Sequence, residues 1–283
     1  MRLLSILAPL FPALATSAAG QVTRSVPEAP PIRDNSFLIE EAYNQERGVV
    51  QHINTFVRAS DGGSWAYTFT QEWPLSGQRH QVGFTLPVVS ASAADGGGTG
   101  IGDVAVNYRF QLAGIVRGGA SGAAAFAPRV TVILPTGASR HGFGKGGAGL
   151  QVDLPLSVEL PAALVTHVNA GATYTARARN SRGDRAATLD YTVGQSLIWH
   201  ALPRFDLMIE AVWTRTQNVT GPSRTARGSE VLLAPGVRTA LDLESGLQIV
   251  PGLAFPVGVG PSRGARSVFV YLSLEHPFAR AAP

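Results

Sequence analysis

The sequence predicts an all-β protein, a transmembrane antiparallel β-barrel of about twelve strands with short periplasmic turns and longer outer loops. Three observations predict it. Segments of roughly ten residues that alternate apolar and polar recur from Gly48 to Phe278. The breaks between them alternate long and short. The chain opens with a stretch that reads as a secretion signal.

In chain order, MRLLSILAPLFPALATSAAG has one Arg, an apolar run and then small residues, so residues 1–20 read as a signal peptide. Leu3 to Ala15 is too short for a membrane anchor, and Pro9 and Pro12 interrupt it. Residues 21–47 form an N-terminal segment expected in the periplasm. Its start carries Pro27, Pro30 and Pro31 and should be extended. Asn35 to Glu46 is apolar and acidic without clean alternation, so it is expected as a short helix or a folded piece at the barrel mouth. Acidic Glu40, Glu41 and Glu46 lie there and are candidates for a plug or gate that pairs with arginines of the lumen. A solvated flap is the alternative.

The barrel is expected over 48–278, with strands at 48–59, 64–75, 79–89, 101–112, 124–134, 148–160, 163–177, 188–199, 203–216, 229–242, 246–256 and 267–278. The clearest is Leu150 to Leu160. Leu150, Val152, Leu154, Leu156, Val158 and Leu160 share one face, and Gln151, Asp153, Pro155, Ser157 and Glu159 share the other. Likewise Trp65, Tyr67, Phe69, Gln71 and Trp73 alternate with Ala66, Thr68, Thr70 and Glu72. Long breaks at 135–147, 178–187, 217–228 and 257–266 read as outer loops. Short breaks near Pro161–Ala162, 200–202 and Glu244–Ser245 read as inner turns. The break at 113–123 is long for an inner turn, and 60–63 is short for an outer loop. Pro128, Pro155, Pro235 and Pro251 fall inside strands, where each removes a ladder donor, and are read as bulges or kinks. The last strand, SVFVYLSLEHPF, ends on Phe278 like the terminal strand read by the barrel-assembly machinery. A tail, 279–283, follows.

Composition narrows the function. Charged residues are 15% of the chain, against about 25% in soluble domains. No cysteine is present, so disulfides and thiolate metal sites are excluded. The net charge of +4 is spread out, with no basic run interleaved with aromatics, so nucleic acid is a poor partner. The expected partners are outer-membrane lipids and small-molecule solutes.

Alternation assigns the charged residues to the lumen. The candidates are Glu72, Asp103, Arg109, Arg129, Asp153, Glu159, Asp190, Glu210, Glu230, Arg238 and Asp242. An Arg facing mid-bilayer would cost about 2–4 kcal/mol. Inside, such residues line a polar conduit or fill the core with ion pairs. No catalytic, cofactor or metal site is expected. The six histidines are scattered, no GxSxG is present, and GFGKGGAG at Gly142–Gly149 lacks P-loop spacing.

Three blocks carry a family resemblance. Phe37 to Ile53 (FLIEEAYNQERGVVQHI), Gly100 to Leu112 (GIGDVAVNYRFQL) and Pro128 to Gly137 (PRVTVILPTG) resemble the outer-membrane proteins of the phenol meta-degradation pathway. The resemblance covers nearly the whole mature chain. It implies an outer-membrane barrel that passes small, often aromatic, compounds, and it implies no catalytic residues. The competing expectations are a structural or adhesive barrel with a blocked lumen, a lipid-modifying barrel enzyme, and a soluble exported β-sandwich.

Overall fold

A computed structural model describes residues 32, 34–60, 63–91, 97–114 and 123–278. The expected signal peptide, the proline-rich lead-in, the tail at 279–283 and most of the 113–123 turn lie outside the described residues.

Twelve antiparallel strands form one sheet that closes on itself. They are β1 (Val49–Ala59), β2 (Trp65–Pro74), β3 (His80–Ser90), β4 (Thr99–Ile101 with Val104–Phe110), β5 (Ala124–Phe126 with Arg129–Leu134) and β6 (Gly149–Asp153 with Leu156–Leu160). Then come β7 (Leu164–Arg179), β8 (Arg185–Leu202), β9 (Phe205–Gly221), β10 (Arg224–Thr239 with Leu241–Asp242), β11 (Gln248–Ala254 with Val257–Gly258) and β12 (Ser267–Pro277). Each strand pairs with its sequence neighbours, and β1 pairs with β12 from Val49↔Pro277 to Ala59↔Ser267. Closure leaves no free edge, which a sheet in lipid requires.

The alternation has its expected consequence. On β6, Leu150, Val152, Leu154 and Leu156 are exposed, whereas Asp153, Pro155 and Ser157 are buried. On β12, Val268 and Val270 are exposed and Phe269, Tyr271 and Ser273 are buried. The exterior is therefore an apolar band. Trp73, Tyr108 and Trp199 lie toward its turn end, and Tyr174 and Tyr191 toward its loop end, as an interfacial aromatic girdle does.

Two expectations change. The segments 178–187 and 217–228 are not loops. Strands β7 to β10 run 16 to 18 residues, and their hairpins close only at 180–184 and 222–223, where Ser223 takes a left-handed φ of 55°. Both faces of these extensions are polar because both stand in water beyond the apolar band, and polarity on both faces mimics a loop in sequence. Secondly, three of the four interior prolines shift no register, whereas beside Pro128 the pairing with β4 slips by one residue, with Leu112 and Ala113 both facing Phe126. Pro128 and Pro155 fall in short breaks of β5 and β6, yet the β5–β6 pairings before and after the breaks share one register. Pro235 and Pro251 sit inside paired strands. Their carbonyls still serve the ladder: Pro155 O accepts from Ala127 N and Pro235 O from Phe255 N. Among the described residues, bulges lie at Gly102–Asp103, at Leu112–Ala113 opposite Phe126, between Thr175 and Ala178, and near the tips of the β8–β9 and β9–β10 hairpins.

Candidate functional site

The interior has three levels. At the turn end, residues 34–45 cross the cylinder without helix and bond to side chains on opposite walls. Arg109 on β4 donates from Nε to Asn44 Oδ1 (2.8 Å), from Nη1 to Glu41 O (3.0 Å) and from Nη2 to Tyr43 O (3.0 Å). Across the barrel, Arg238 on β10 donates from Nη1 to the carbonyls of Asp34 and Asn35, both at 2.7 Å. Its Nε donates to Asp206 at 2.8 Å, and Asp206 also bonds to His200. Arginine suits this role because its planar fork bonds several carbonyls at once.

Carboxylates and amides complete the seat. Glu210 on β9 accepts from the backbone N of Leu38 and Ile39 at 3.0 and 3.1 Å. Ser157 Oγ accepts from Ala42 N (2.7 Å), and Gln81 Oε1 accepts from Gln45 N (2.7 Å). Asp34 Oδ1 accepts from Gln51 Nε2 and Tyr271 OH. Glu40 pairs with Arg129, which also pairs with Asp153 at 2.8 Å. Thus many backbone groups of a segment with no secondary structure are satisfied by side chains of the wall, as buried backbone requires.

Packing locks the same segment. Phe37 lies against Phe269 and Tyr271, with ring centroids 5.7 and 5.6 Å away. It joins a cluster with Ile32, Ile198, Met208 and Val250. The wall thins to glycine under it: a Cβ at Gly252 would stand 2.8 Å from Phe37 Cζ, and one at Gly194 would collide with Ile39 Cδ1.

Burial alters the acids of this segment. Glu41 is pushed up to about 8, first by burial, then by the Asp34 charge, against the lowering pull of Arg109 and Arg238. Asp34 is likewise raised by burial, opposed by Arg238 and by the hydrogen bond from Tyr271.

Above the segment runs a neutral polar band. Thr131 Oγ1 donates to Asn107 Oδ1 (2.8 Å), Asn107 Nδ2 to Thr85 Oγ1 (3.3 Å), and Thr85 meets Thr70 at 2.9 Å. Above that, at the loop end, is a cavity of about 590 Å³ lined by Val57, Ala59, Ala66, Val89, Leu232 and Pro256, with Glu230 and Arg266 at its wall.

The fourteen residues singled out by sequence therefore have several fates. Glu40, Glu41, Glu72, Arg109, Arg129, Asp153, Glu210 and Arg238 come together around residues 34–45; Gln81 Nε2 donates to Glu72 at 2.6 Å, and Glu72 lies 3.6 Å from Arg109. Asp103 and Asp190 instead fix an outer loop. Asp103 accepts from the N of Gly137 and Lys145, and the Lys145 ammonium reaches Asp190 at 3.2 Å. Glu230 belongs to the upper cavity. Asp242 pairs with Arg204 at an inner turn, Glu159 is half-buried near the turn end, and Glu46 is exposed before β1. Sequence reasoning missed the amide and hydroxyl seat of Gln51, Gln81, Ser157 and Tyr271. Their signal is a polar residue on the inward parity of an alternating strand, which the charged residues overshadowed. It also missed His52 and His276, whose Nε2 atoms meet at 3.2 Å where β1 closes on β12.

No protein-family model matches the chain, and no curated protein matches it. Solved structures do. The chain is similar to an outer-membrane channel from Pseudomonas putida F1 (TM-score 0.64, 13% identity, 83% of this chain and 97% of that one). It is also similar to the NanC porin (TM-score 0.47, 11% identity, 79% and 98%) and the KdgM porin (TM-score 0.45, 8% identity, 82% and 99%). The protein has the fold of outer-membrane barrels. Barrels of that membrane place short turns in the periplasm and long loops outside.

Proposed function

We propose that the protein is a plugged channel for small, aromatic or hydrophobic compounds. Residues 34–45 close the periplasmic half of the lumen, and the cavity at the loop end receives the solute. The observation that carries this reading is their stacking: an open, mostly apolar chamber at the loop end, a neutral polar band beneath it, and below that a segment held by side chains of the wall. An apolar lining favours a neutral solute with little polar surface, because a charged one loses hydration without a partner. The neutral band of Thr70, Thr85, Asn107 and Thr131 offers hydrogen bonds to a phenol-like hydroxyl on its way down. This agrees with the resemblance to the phenol meta-degradation family. Passage makes and breaks no covalent bond, so the residues act through size, charge and hydrogen bonding. The terminal strand ending near Phe278 fits recognition by the barrel-assembly machinery.

Planar-bilayer conductance and uptake into proteoliposomes test the reading. The full-length protein should conduct little, and removal of residues 21–46 should raise conductance and the uptake of a neutral aromatic such as phenol. A deletion protein that remains folded and closed to ions and phenol supports the blocked, structural barrel instead.

A further inference from the structure

The extended hairpins carry a feature that passage does not use. On β8 and β9 the outward parity is set by exposed Tyr191, Val193 and Trp213. Arg215 pairs directly with Tyr191 and has the parity of Trp213, so it faces outward. Arg227 lies opposite Gln217, one diagonal step beyond the Arg215–Ser229 pair. Farther out, Arg179 pairs directly with Arg185.

Two like charges directly opposed on a sheet repel. Among the described residues none of these four side chains has an ion-pair or hydrogen-bond partner. The nearby carboxylates are engaged elsewhere: Asp184 with Arg182 and Asn180, and Asp190 with Lys145 on the inward side. The face is therefore built positive and left without a counter-charge.

Height identifies what the face meets. Strand β8 has 18 residues. At about 3.3 Å per residue and a tilt near 40° it rises ~45 Å, against an apolar band of ~25 Å. Tyr174 and Tyr191 mark the upper edge of that band. Arg215 stands at the edge itself, Arg227 one step above it, and Arg179 and Arg185 farther out. In a bacterial outer membrane the outer leaflet presents anionic phosphates of glycolipid headgroups at that level.

We propose that the outward face of β7–β10 binds the phosphate groups of a phosphorylated outer-leaflet glycolipid. Arg215 and Arg227 hold the phosphate nearest the acyl chains, and Arg179 and Arg185 hold one farther from the bilayer. Guanidinium forks bond phosphate oxygens in pairs, which suits this chemistry better than ammonium groups do.

Native mass spectrometry of the full-length protein in detergent, with bisphosphorylated lipid A against enzymatically dephosphorylated lipid A, tests the site without any variant. The phosphorylated form should bind about tenfold or more tightly. The double substitution R215Q/R227Q should remove most of that preference while heat-modifiable gel migration stays native, and Arg263→Gln, outside the face, should leave it unchanged. Equal binding of the two lipids overturns the proposal. So does an R215Q/R227Q protein that keeps its preference, and so does full displacement of the lipid by millimolar inorganic phosphate, which would mark a general anion site.

Discussion

Phe37 and Gly252 share one space. The phenylalanine ring lies where any side chain at position 252 would begin, with Phe37 Cζ 2.8 Å from an ideal Cβ there. The lining of β11 is therefore shaped around the crossing segment, not merely blocked by it. Gly252→Val should expel Phe37, loosen residues 34–45 and raise bilayer conductance, with the barrel still heat-modifiable. Adding Phe37→Ala should relieve the crowding, and the double variant should depart from additivity, as contacting residues do. Unchanged conductance in Gly252→Val would show that Phe37 does not anchor the segment.

Arg238 should be the strongest single tether. It bonds two carbonyls of the crossing segment and the carboxylate of Asp206. Breaking a buried pair by removing one partner costs about 3–5 kcal/mol. Arg238→Met should therefore expose residues 34–45 to protease added on the periplasmic side and increase open-channel time. A protease pattern identical to the native one would remove Arg238 from this role.

Closure should weaken as pH rises. Glu41, docked, titrates at about 8 because of burial, far above its ordinary 4.5. The docked state then binds more protons than the released one between those values, so docking loses free energy as pH climbs from 4.5 to 8 and is level above. Asp34, also raised, contributes with the same sign. Conductance should be higher at pH 8.5 than at pH 5.5, and Glu41→Gln should flatten part of that slope. Higher conductance at the acid end would contradict the docked state described above.

The two faces of β6 should respond oppositely to charge. Val152 faces out and is 41% exposed, whereas Gln151 next to it has the inward parity of Asp153. Val152→Arg should destabilise the barrel in liposomes by about 2–4 kcal/mol, and Gln151→Arg by clearly less. Urea unfolding followed by tryptophan fluorescence measures both.

The upper cavity should select for neutral solutes. Leu232 lines it beside Glu230. In the protein lacking residues 21–46, Leu232→Asp should reduce uptake of phenol relative to a small sugar, and Leu232→Ala should leave that ratio nearly unchanged. Equal ratios in the two variants would detach selectivity from this chamber.

Much of this architecture was legible because alternation is a local property. Asp153 and Val152 part company simply because successive side chains on a strand point opposite ways. The spacing of turns then set twelve strands in order. Legibility failed where the surrounding solvent changed. Arg179 to Arg185 and Gln217 to Arg227 lie beyond the apolar band, so their strands no longer alternate and resemble loops. It also failed for prolines 155, 235 and 251, because a strand that loses one donor keeps its register through its carbonyl and its neighbours.

The sequence by itself determined that strands form, how many, and which side chains share a face, since each follows from the period of the backbone and the medium on either side. Only the tertiary structure decided the register at which β1 closes on β12, that Arg109 and Arg238 converge from opposite walls on one backbone segment, and that glycine and amide residues scattered over the strands make its seat. Those contacts join positions as far apart as Asp34 and Tyr271. Nothing in local periodicity encodes them, because they depend on the curvature and closure of the whole sheet.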